Sequence, residues 1–354
     1  MADTSDDSHP THLSSSELGT KEYWETFYSR TLTHISTKHN PTSEKASADA
    51  KATASDAEDG NDNSDSEDDY NADSDPGTSW FSEHNAPQKV LDFLTRETFP
   101  LAPCNTLPGA SASAAISGNS SGSRCGIRSI RKRVKGLSEA EKKEQPCILD
   151  LGTGNGSMLA LLRKRGRFAG KMVGVDYSAK SVELARELQV TKRHEAYLSD
   201  SDEDDEGSWS DDGYETKEED EGEEEWNEIR FEECDILNCQ EDLQSKKVPW
   251  FLYDKGGFDI VLDKGTFDAV SLMVEKSECE RYPGIAGGLV RKGGFLIVTS
   301  CNWTEEEIVR WFTSAEIQIN GIGKLAVWGK VQYPRFRFGG QEGQGVCTVC
   351  FQRV

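Results

Sequence analysis

Histidine and long apolar runs are scarce in this sequence. Its six histidines are His9, His12, His34, His39, His84 and His194. None of them falls in the apolar segments that read as core strands below, so catalysis by a histidine base or at a histidine-ligated metal is not expected. No stretch approaches the roughly 18 apolar residues of a membrane span. The amino terminus also lacks the basic and apolar regions of a secretory signal, so we expect no membrane contact.

Regular cysteine spacing is also absent. The nine cysteines are odd in number and follow no pattern that indicates a disulfide framework. Cys347 and Cys350 have C-x-x-C spacing, but no second pair and no histidine lies at metal-binding distance along the chain, so we interpret both as strand packing residues. The sequence thus predicts a cytoplasmic protein with reduced thiols and no metal.

The charge is strongly acidic but unevenly distributed. The formal net charge is −23, and 29% of the residues are charged. Residues 200–225 contain 16 acidic residues and one lysine, and residues 47–76 contain 11 acidic residues and one lysine. The remainder is nearly neutral, so we expect two disordered acidic tracts and a folded part with no general affinity for nucleic acid.

Composition predicts five regions along the chain. They are an aromatic amino-terminal segment that lids the site (1–35), a disordered acidic linker (36–79), a helix packing on the core (80–101), a low-complexity and basic linker (102–145) and a principal domain (146–354) with a disordered acidic insertion at 199–226. The basic run 128–135 within the second linker is interpreted as solvated chain. A nuclear signal or a patch for an acidic partner is the alternative.

Apolar segments from residue 146 onwards alternate between strand and helix patterns. Strands are predicted at 147–151, 171–175, 229–234, 258–262 and 294–299, with helices at 157–165, 179–189 and 304–312. Two further β-like runs, 331–338 and 346–353, flank a glycine-rich turn. This order predicts an α/β fold with a doubly wound, mostly parallel sheet and a carboxy-terminal antiparallel hairpin.

A glycine-rich loop follows the first predicted strand. The motif is Asp150-Leu-Gly152-Thr-Gly154-Asn155-Gly156. Glycines at such a place let the backbone approach a ligand, and the next helix offers unpaired N–H groups to an anion. Ser157 stands where a dinucleotide site would carry its third glycine. The G-x-G-x-G spacing instead favours S-adenosylmethionine, whose anion is a small carboxylate.

Three acidic residues follow later strands of the predicted sheet. Asp176 comes directly after the second strand, where a carboxylate can accept both hydroxyls of a ribose, although a helix cap is the alternative. Asp235 follows the third strand and is placed to reach an adenine amino group, with Ile236 packing on the ring. Asp263 follows the fourth strand and is expected to face the transferable methyl group.

Five segments of the chain carry a more specific signal than the glycine loop alone. They are Leu18-Gly-Thr-Lys-Glu-Tyr-Trp24, Leu151-Gly-Thr-Gly-Asn-Gly156, Val261-Leu-Asp-Lys-Gly-Thr-Phe-Asp-Ala269, Thr299-Ser-Cys-Asn-Trp-Thr304 and Arg335-Phe-Arg-Phe-Gly-Gly340. Together they resemble one family, the class I protein-lysine methyltransferases that modify translation elongation factor 1-alpha. The glycine loop is common to the whole superfamily, whereas the third and fourth segments are much more specific. Insertions at about 36–79, 102–145 and 199–226 depart from the family pattern but remove none of these motifs.

The resemblance implies a Rossmann-like domain that binds S-adenosylmethionine and methylates a lysine ε-amine of that factor. It implies a catalytic set comprising Asp263, Tyr23, Trp24, Asn302 and Trp303. The aromatic pair would lid the site, Asn302 and Trp303 would shape the lysine channel, and Asp263 would orient the amine. The implied cofactor-binding set is Asp150, Gly152, Gly154, Asn155, Gly156, Asp176, Tyr177, Asp235, Ile236 and Asp263.

Two other functions remain open from the residues alone. One is a methyltransferase that acts on a small molecule, against which the aromatic segment and the Asn302-Trp303 pair argue. The other is a scaffold that binds the cofactor without turnover, against which the intact glycine loop and Asp176 argue. The expected partner is a protein substrate, and the enzyme is expected to be a monomer.

Overall fold

The computed structural model describes residues 11–38, 81, 84–109, 127–198, 228–314, 323–334, 336–338, 341–343 and 345–354. The predictions for residues 39–79 and for the acidic insertion 199–226 lie outside these ranges.

Helices and strands alternate through most of the described chain. The helices are α1 (Lys21–Lys38), α2 (Ala86–Leu94), α3 (Pro103–Thr106), α4 (Ile127–Lys135), α5 (Glu139–Lys143), α6 (Ser157–Lys164), α7 (Ala179–Thr191), α8 (Gln240–Gln244), α9 (Thr266–Ser271), α10 (Lys276–Leu289) and α11 (Glu305–Thr313). The strands are β1 (Ile148–Leu151), β2 (Met172–Asp176), β3 (Arg230–Glu233), β4 (Phe258–Lys264), β5 (Val290–Ser300), β6 (Leu325–Val331), β7 (Phe336–Phe338), β8 (Gln341–Gly343) and β9 (Cys347–Arg353).

Seven strands form one sheet in the order β3-β2-β1-β4-β5-β9-β6. The pairs from β3 to β5 are parallel, and β9 is antiparallel to both β5 and β6. The chain therefore winds outward from β1 to β3 and then restarts on the other side of β1 with β4. The predicted fold class is confirmed, and the reversal between β1 and β4 opens a crevice where such sheets bind ligands.

Side chains alternate between the two faces of the central strands, and both faces are covered. Ile148 and Ile260 point into the core on one side, together with α2, α6 and α7 residues. Leu149 and Val261 point into the core on the other side, with α10 and α11 residues. Because both faces are buried, the central strands read in the sequence as continuous apolar runs.

The carboxy-terminal hairpin is built differently from the sequence prediction. Besides β5, β9 pairs with β6, which ends at Val331, so the predicted run 331–338 was wrong as the hairpin partner of β9. Residues 332–334 follow in irregular conformation. Pro334 has no N–H to donate to a ladder and so cannot continue a paired strand. Residues 336–338 instead pair with 341–343 in a separate two-stranded ribbon.

The region predicted as a low-complexity and basic linker, 102–145, contains helices α3, α4 and α5. Ile130 and Val134 of α4 pack against a small core of Leu107, Leu137 and Ala169. The guanidinium of Arg133 donates hydrogen bonds to the carbonyl oxygens of residues 107 and 108. The basic run is thus a helix fixed on the domain, since its apolar positions recur at helical spacing.

The amino-terminal helix also passes its predicted limit. α1 extends to Lys38, three residues into the segment predicted as linker. Within the described ranges, no helix has the length and apolar character needed to cross a membrane.

Candidate functional site

A cavity of about 440 Å³ opens at the carboxyl ends of β1 and β4. Its wall comes from the glycine loop, the ends of β2 and β3, the β4–α9 turn, the α9–α10 loop, residues 301–302 and the segment leading into α1. The topological reversal, the glycine loop and the amino-terminal segment therefore meet in one place.

Two of the three loop glycines line this cavity. Gly152 and Gly154 both have φ +57°, a conformation that favours glycine. A Cβ atom on Gly152 would lie 2.2 Å from Oγ1 of Thr266, so this loop and the β4–α9 turn are in direct contact. Gly156 does not line the cavity. A Cβ atom there would meet Phe231 of β3 and the Tyr197 hydroxyl, so the glycine is what lets α6 begin against β3.

Asn155, also predicted to bind the cofactor, lies under the loop. It is fully buried, and its side-chain oxygen accepts a hydrogen bond from the backbone N–H of Ser157 at 3.1 Å. It is absent from the cavity wall. The structure gives Asn155 a part in shaping the start of α6.

Asp176 lines the cavity and also ties the glycine loop to α7. Its carboxylate accepts hydrogen bonds from the N–H groups of Gly154 and Ser178 and from the Ser181 hydroxyl, at 3.0, 2.9 and 2.7 Å. Burial raises its pKa, and these hydrogen bonds oppose the rise. The helix cap is Ser178, not Asp176. A carboxylate has about four acceptor positions, so about one remains for a ligand.

The turn after β3 supplies Asp235 and Ile236 to the wall. The Asp235 carboxylate accepts hydrogen bonds from the backbone of Leu237 and from the Asn238 amide, which fixes the turn. Ile236 is 7% exposed and offers an apolar surface. Tyr177 faces the same cavity, and its hydroxyl donates to the carbonyl oxygen of Thr20 at 3.2 Å. These three residues line the same cavity.

The structure does not bring Asp263 to the cavity wall. This residue is 1% exposed, and its Oδ1 accepts from the N–H groups of Thr266 and Phe267. Its Oδ2 accepts from the Tyr282 hydroxyl at 2.7 Å. Burial raises the pKa of Asp263 to about 7. Its carboxyl group therefore anchors the turn into α9 from beneath the cavity.

Asp150 lies in a similar position under the glycine loop. Its carboxylate accepts a hydrogen bond from the Thr153 hydroxyl at 2.9 Å, and it is not part of the wall. Burial raises its pKa to about 6, although the nearby charge of Lys264 lowers it. Asp150 on β1 and Asp263 on β4 are therefore two buried carboxyl groups that lie beneath the cavity on neighbouring strands.

Lys264 and Asp268 line the cavity although neither was singled out from the sequence. The Lys264 ammonium lies 5.3 Å from the centre of the Phe81 ring. Asp268 is fixed by the Ser300 hydroxyl at 2.5 Å and the backbone N–H of Cys301 at 2.9 Å. Both belong to the Asp-Lys-Gly-Thr-Phe-Asp motif, and this membership was the sequence signal that could have identified them as site residues.

The amino-terminal segment closes one side of the cavity. Trp24 and Tyr28 line it, and the Trp24 indole donates to the carbonyl oxygen of Leu18 at 2.8 Å. Tyr23 does not line the cavity and instead stacks on Phe27 at 6.3 Å between ring centres. Successive residues of a helix face different directions, which separates Tyr23 from Trp24.

Asn302 and Trp303, which follow β5, also lie in different surroundings. Asn302 is exposed and lines the mouth of the cavity. Trp303 is 5% exposed, stacks on Phe267 and donates its indole N–H to the Ser271 hydroxyl at 3.0 Å. Trp303 is therefore a packing residue that holds α9 to the end of β5.

Comparisons with known proteins find similarity to methyltransferases. Residues 142–202 match the family model described as a methyltransferase domain. The chain is 27% identical over 344 residues to protein-lysine N-methyltransferase EFM4 of Saccharomyces cerevisiae, covering 96% of each chain. It is 27% identical over 231 residues to EEF1A lysine methyltransferase 2 of Danio rerio, covering 65% of this chain and 76% of that protein. It is 29% identical over 213 residues to protein-lysine N-methyltransferase efm4 of Schizosaccharomyces pombe, covering 58% and 68%.

Proposed function

We infer that this chain is an S-adenosylmethionine-dependent protein-lysine methyltransferase and that it methylates a lysine ε-amine of translation elongation factor 1-alpha. The observation that carries this proposal is the similarity to EFM4 across 96% of both chains. The cavity at the sheet reversal supports it, because four of the five segments that carry the resemblance contribute residues to its wall.

The residues of the cavity wall fit S-adenosylmethionine. Ile236 offers an apolar surface for an adenine ring, and Asp176 retains an acceptor position for a ribose hydroxyl. Of the charged side chains in the wall, Lys21 and Lys264 are the cations, while the acidic residues outnumber them. A mostly acidic wall suits a ligand that carries a sulfonium cation.

Lys264 is the residue we assign to the carboxylate of the cofactor. It stands beside the glycine loop, whose Gly152 touches the β4–α9 turn. Lys21, the other cation, lies near Tyr177 and pairs with Glu233 on the opposite side, so it belongs to the nucleoside end. A half-buried ammonium is a suitable partner for a small carboxylate.

The bound cofactor would supply an electrophilic methyl group on its sulfonium. The protein must then deliver a neutral amine, and a free lysine has a pKa of about 10.4. Trp24 and Met273 give the wall apolar surface that excludes water from an incoming side chain. Loss of water and a nearby cation both lower the pKa of that lysine.

Orientation of the amine is assigned to Asn302 and Asp268, which both line the cavity. Their side-chain oxygens can accept hydrogen bonds from an amine, and alignment of this kind lowers a barrier by several kcal/mol. The described residues of the wall include no histidine, so the proton is expected to leave to water. Asp263 acts from beneath as a positioning residue for the turn that presents Lys264.

The experiment that tests this function is incubation of the purified protein with isotopically labelled S-adenosylmethionine and elongation factor 1-alpha. Mass spectrometry of the labelled factor should locate the methyl group on a lysine side chain. A label found only on small molecules would contradict the proposal.

A further inference from the structure

The α9–α10 loop, residues 272–275, forms one side of the cavity mouth. The backbone N–H of Met273 donates to the carbonyl oxygen of Val270 at 3.2 Å. The Lys276 ammonium donates to the carbonyl oxygens of residues 271 and 273. Ser16 of the amino-terminal segment donates its N–H to the carbonyl oxygen of Leu272 at 3.0 Å. The loop is therefore held from three sides.

This fixed loop presents an apolar side chain to solvent. Val274 is 75% exposed, and its chain neighbours Met273 and Glu275 both line the cavity. The fixed backbone of the loop cannot turn the Val274 side chain inward. This side chain therefore stays hydrated in the free enzyme. Covering it on association with a partner releases that water.

The charge beside Val274 indicates which kind of partner side chain the loop binds. Glu275 is exposed at the mouth, and its carboxylate has no hydrogen-bond partner among the residues the structure describes. Glu278 also lines the mouth, but Arg281 pairs with it at 2.7 Å. The Lys276 ammonium is engaged by backbone carbonyl groups. Glu275 is thus the carboxylate left available to a cation from outside.

We propose that the loop 272–275 docks the protein substrate, with Val274 covered by an apolar side chain and Glu275 paired with a basic side chain that flanks the target lysine. This inference rests on the proposed function and adds to it a surface that recognises the sequence around the lysine. Charge complementarity at the edge of an interface acts mainly on encounter and selectivity.

A matched pair of double variants tests the proposal. Val274→Ser with Glu275→Gln alters the loop, while Val190→Ser with Glu187→Gln alters the exposed face of α7. Val190 is 80% exposed and Glu187 is also exposed, so both pairs remove the same groups from solvent-facing positions. Steady-state methylation of intact elongation factor 1-alpha gives KM and kcat, and calorimetry gives the cofactor Kd.

We expect the loop variant to raise KM about fivefold or more with kcat and cofactor Kd unchanged. The α7 variant should match the wild type. Added salt should raise the KM of the wild type more than that of Glu275→Gln alone, because screening removes the same charge interaction.

Equal KM values for the two double variants would overturn the docking proposal while the proposed function stands. A fall in kcat at constant KM would also overturn it, since Glu275 would then act in the chemistry. Absence of methylation by the wild type would instead contradict the proposed function on which this inference rests.

Discussion

Two buried carboxyl groups beneath the cavity should make the stability of this protein depend on pH. Burial raises the pKa of Asp263 to about 7 and that of Asp150 to about 6. Between the ordinary carboxyl range and these values, the folded state keeps protons that the unfolded state has lost. The contribution of these two groups to the free energy of unfolding is therefore largest below about pH 4 and falls as pH rises towards 7.

The variant Asp263→Asn tests this account. Its amide oxygen can still accept from the N–H groups of Thr266 and Phe267, so the turn should survive. We expect the wild type to lose about 2–3 kcal/mol more unfolding free energy than the variant between pH 5 and pH 8. Urea titrations without cofactor measure the difference. Parallel pH curves for the two proteins would show that Asp263 ionises normally in the fold.

Lys264 should contribute to cofactor affinity rather than to folding. A charge-assisted hydrogen bond contributes about 1.5–3 kcal/mol, so Lys264→Met should weaken cofactor binding about tenfold to a hundredfold. Lys21→Met is the comparison variant. It should lose less affinity, because Lys21 is half exposed and lines the nucleoside end of the cavity, away from the cofactor carboxylate. Calorimetry with S-adenosylmethionine decides the matter. Equal losses for both variants would remove the carboxylate assignment.

The amino-terminal segment depends on one glycine for its contact with the α9–α10 loop. A Cβ atom on Gly19 would lie 2.4 Å from the backbone carbonyl of Leu272, and backbone atoms cannot rotate aside as a side chain can. Gly19→Ala should therefore displace this segment at a cost of about 1–3 kcal/mol. Trp24, which contacts Leu18, should move with it.

Hydrogen exchange and cofactor binding measure that displacement. We expect faster exchange of the α1 amides and a cofactor Kd raised about tenfold, because one side of the cavity is lost. Gly136→Ala is the control, since its nearest neighbour would be a carbonyl oxygen at an ordinary 3.5 Å. Unchanged exchange in Gly19→Ala would mean that the segment does not close the cavity.

The sequence was sufficient for the central elements because their signals are local. Strands β1, β2 and β4 and the second half of β5 are largely apolar runs buried on both faces, and the glycine loop follows directly from its residue types. The carboxy-terminal pairing was not predictable in the same way. The run 331–338 has β-forming residues, but pairing with β9 was taken by 325–331, and register depends on distant partners.

The site predictions differed from the structure for a related reason. β4 was predicted to end at Leu262, which would place Asp263 first in the loop. The strand instead continues to Lys264, with Asp263 in register with Leu151 and Val298. Successive side chains of a strand point to opposite faces of the sheet. Because β4 continues through residues 263 and 264, their side chains point to opposite faces and one of them faces the cavity. Asp263 is therefore buried, and Lys264 lines the wall.

Across the whole molecule, one end of the sheet concentrates the parts that the proposed reaction needs. The wall of the cavity is acidic towards its mouth and carries Lys264 near the glycine loop, while the amino-terminal segment closes its side. This arrangement separates a cofactor end from a substrate end. It predicts that turnover is limited by the supply of neutral lysine, so the rate should rise with pH.

The most direct test of the central claim is single-turnover methylation of purified elongation factor 1-alpha across a pH series, with the modified residue located by mass spectrometry. The account predicts transfer to a lysine side chain and a rate that increases with pH until the amine in the site is neutral. Label on arginine, histidine or a terminal amine, or a rate that falls as pH rises, would contradict it.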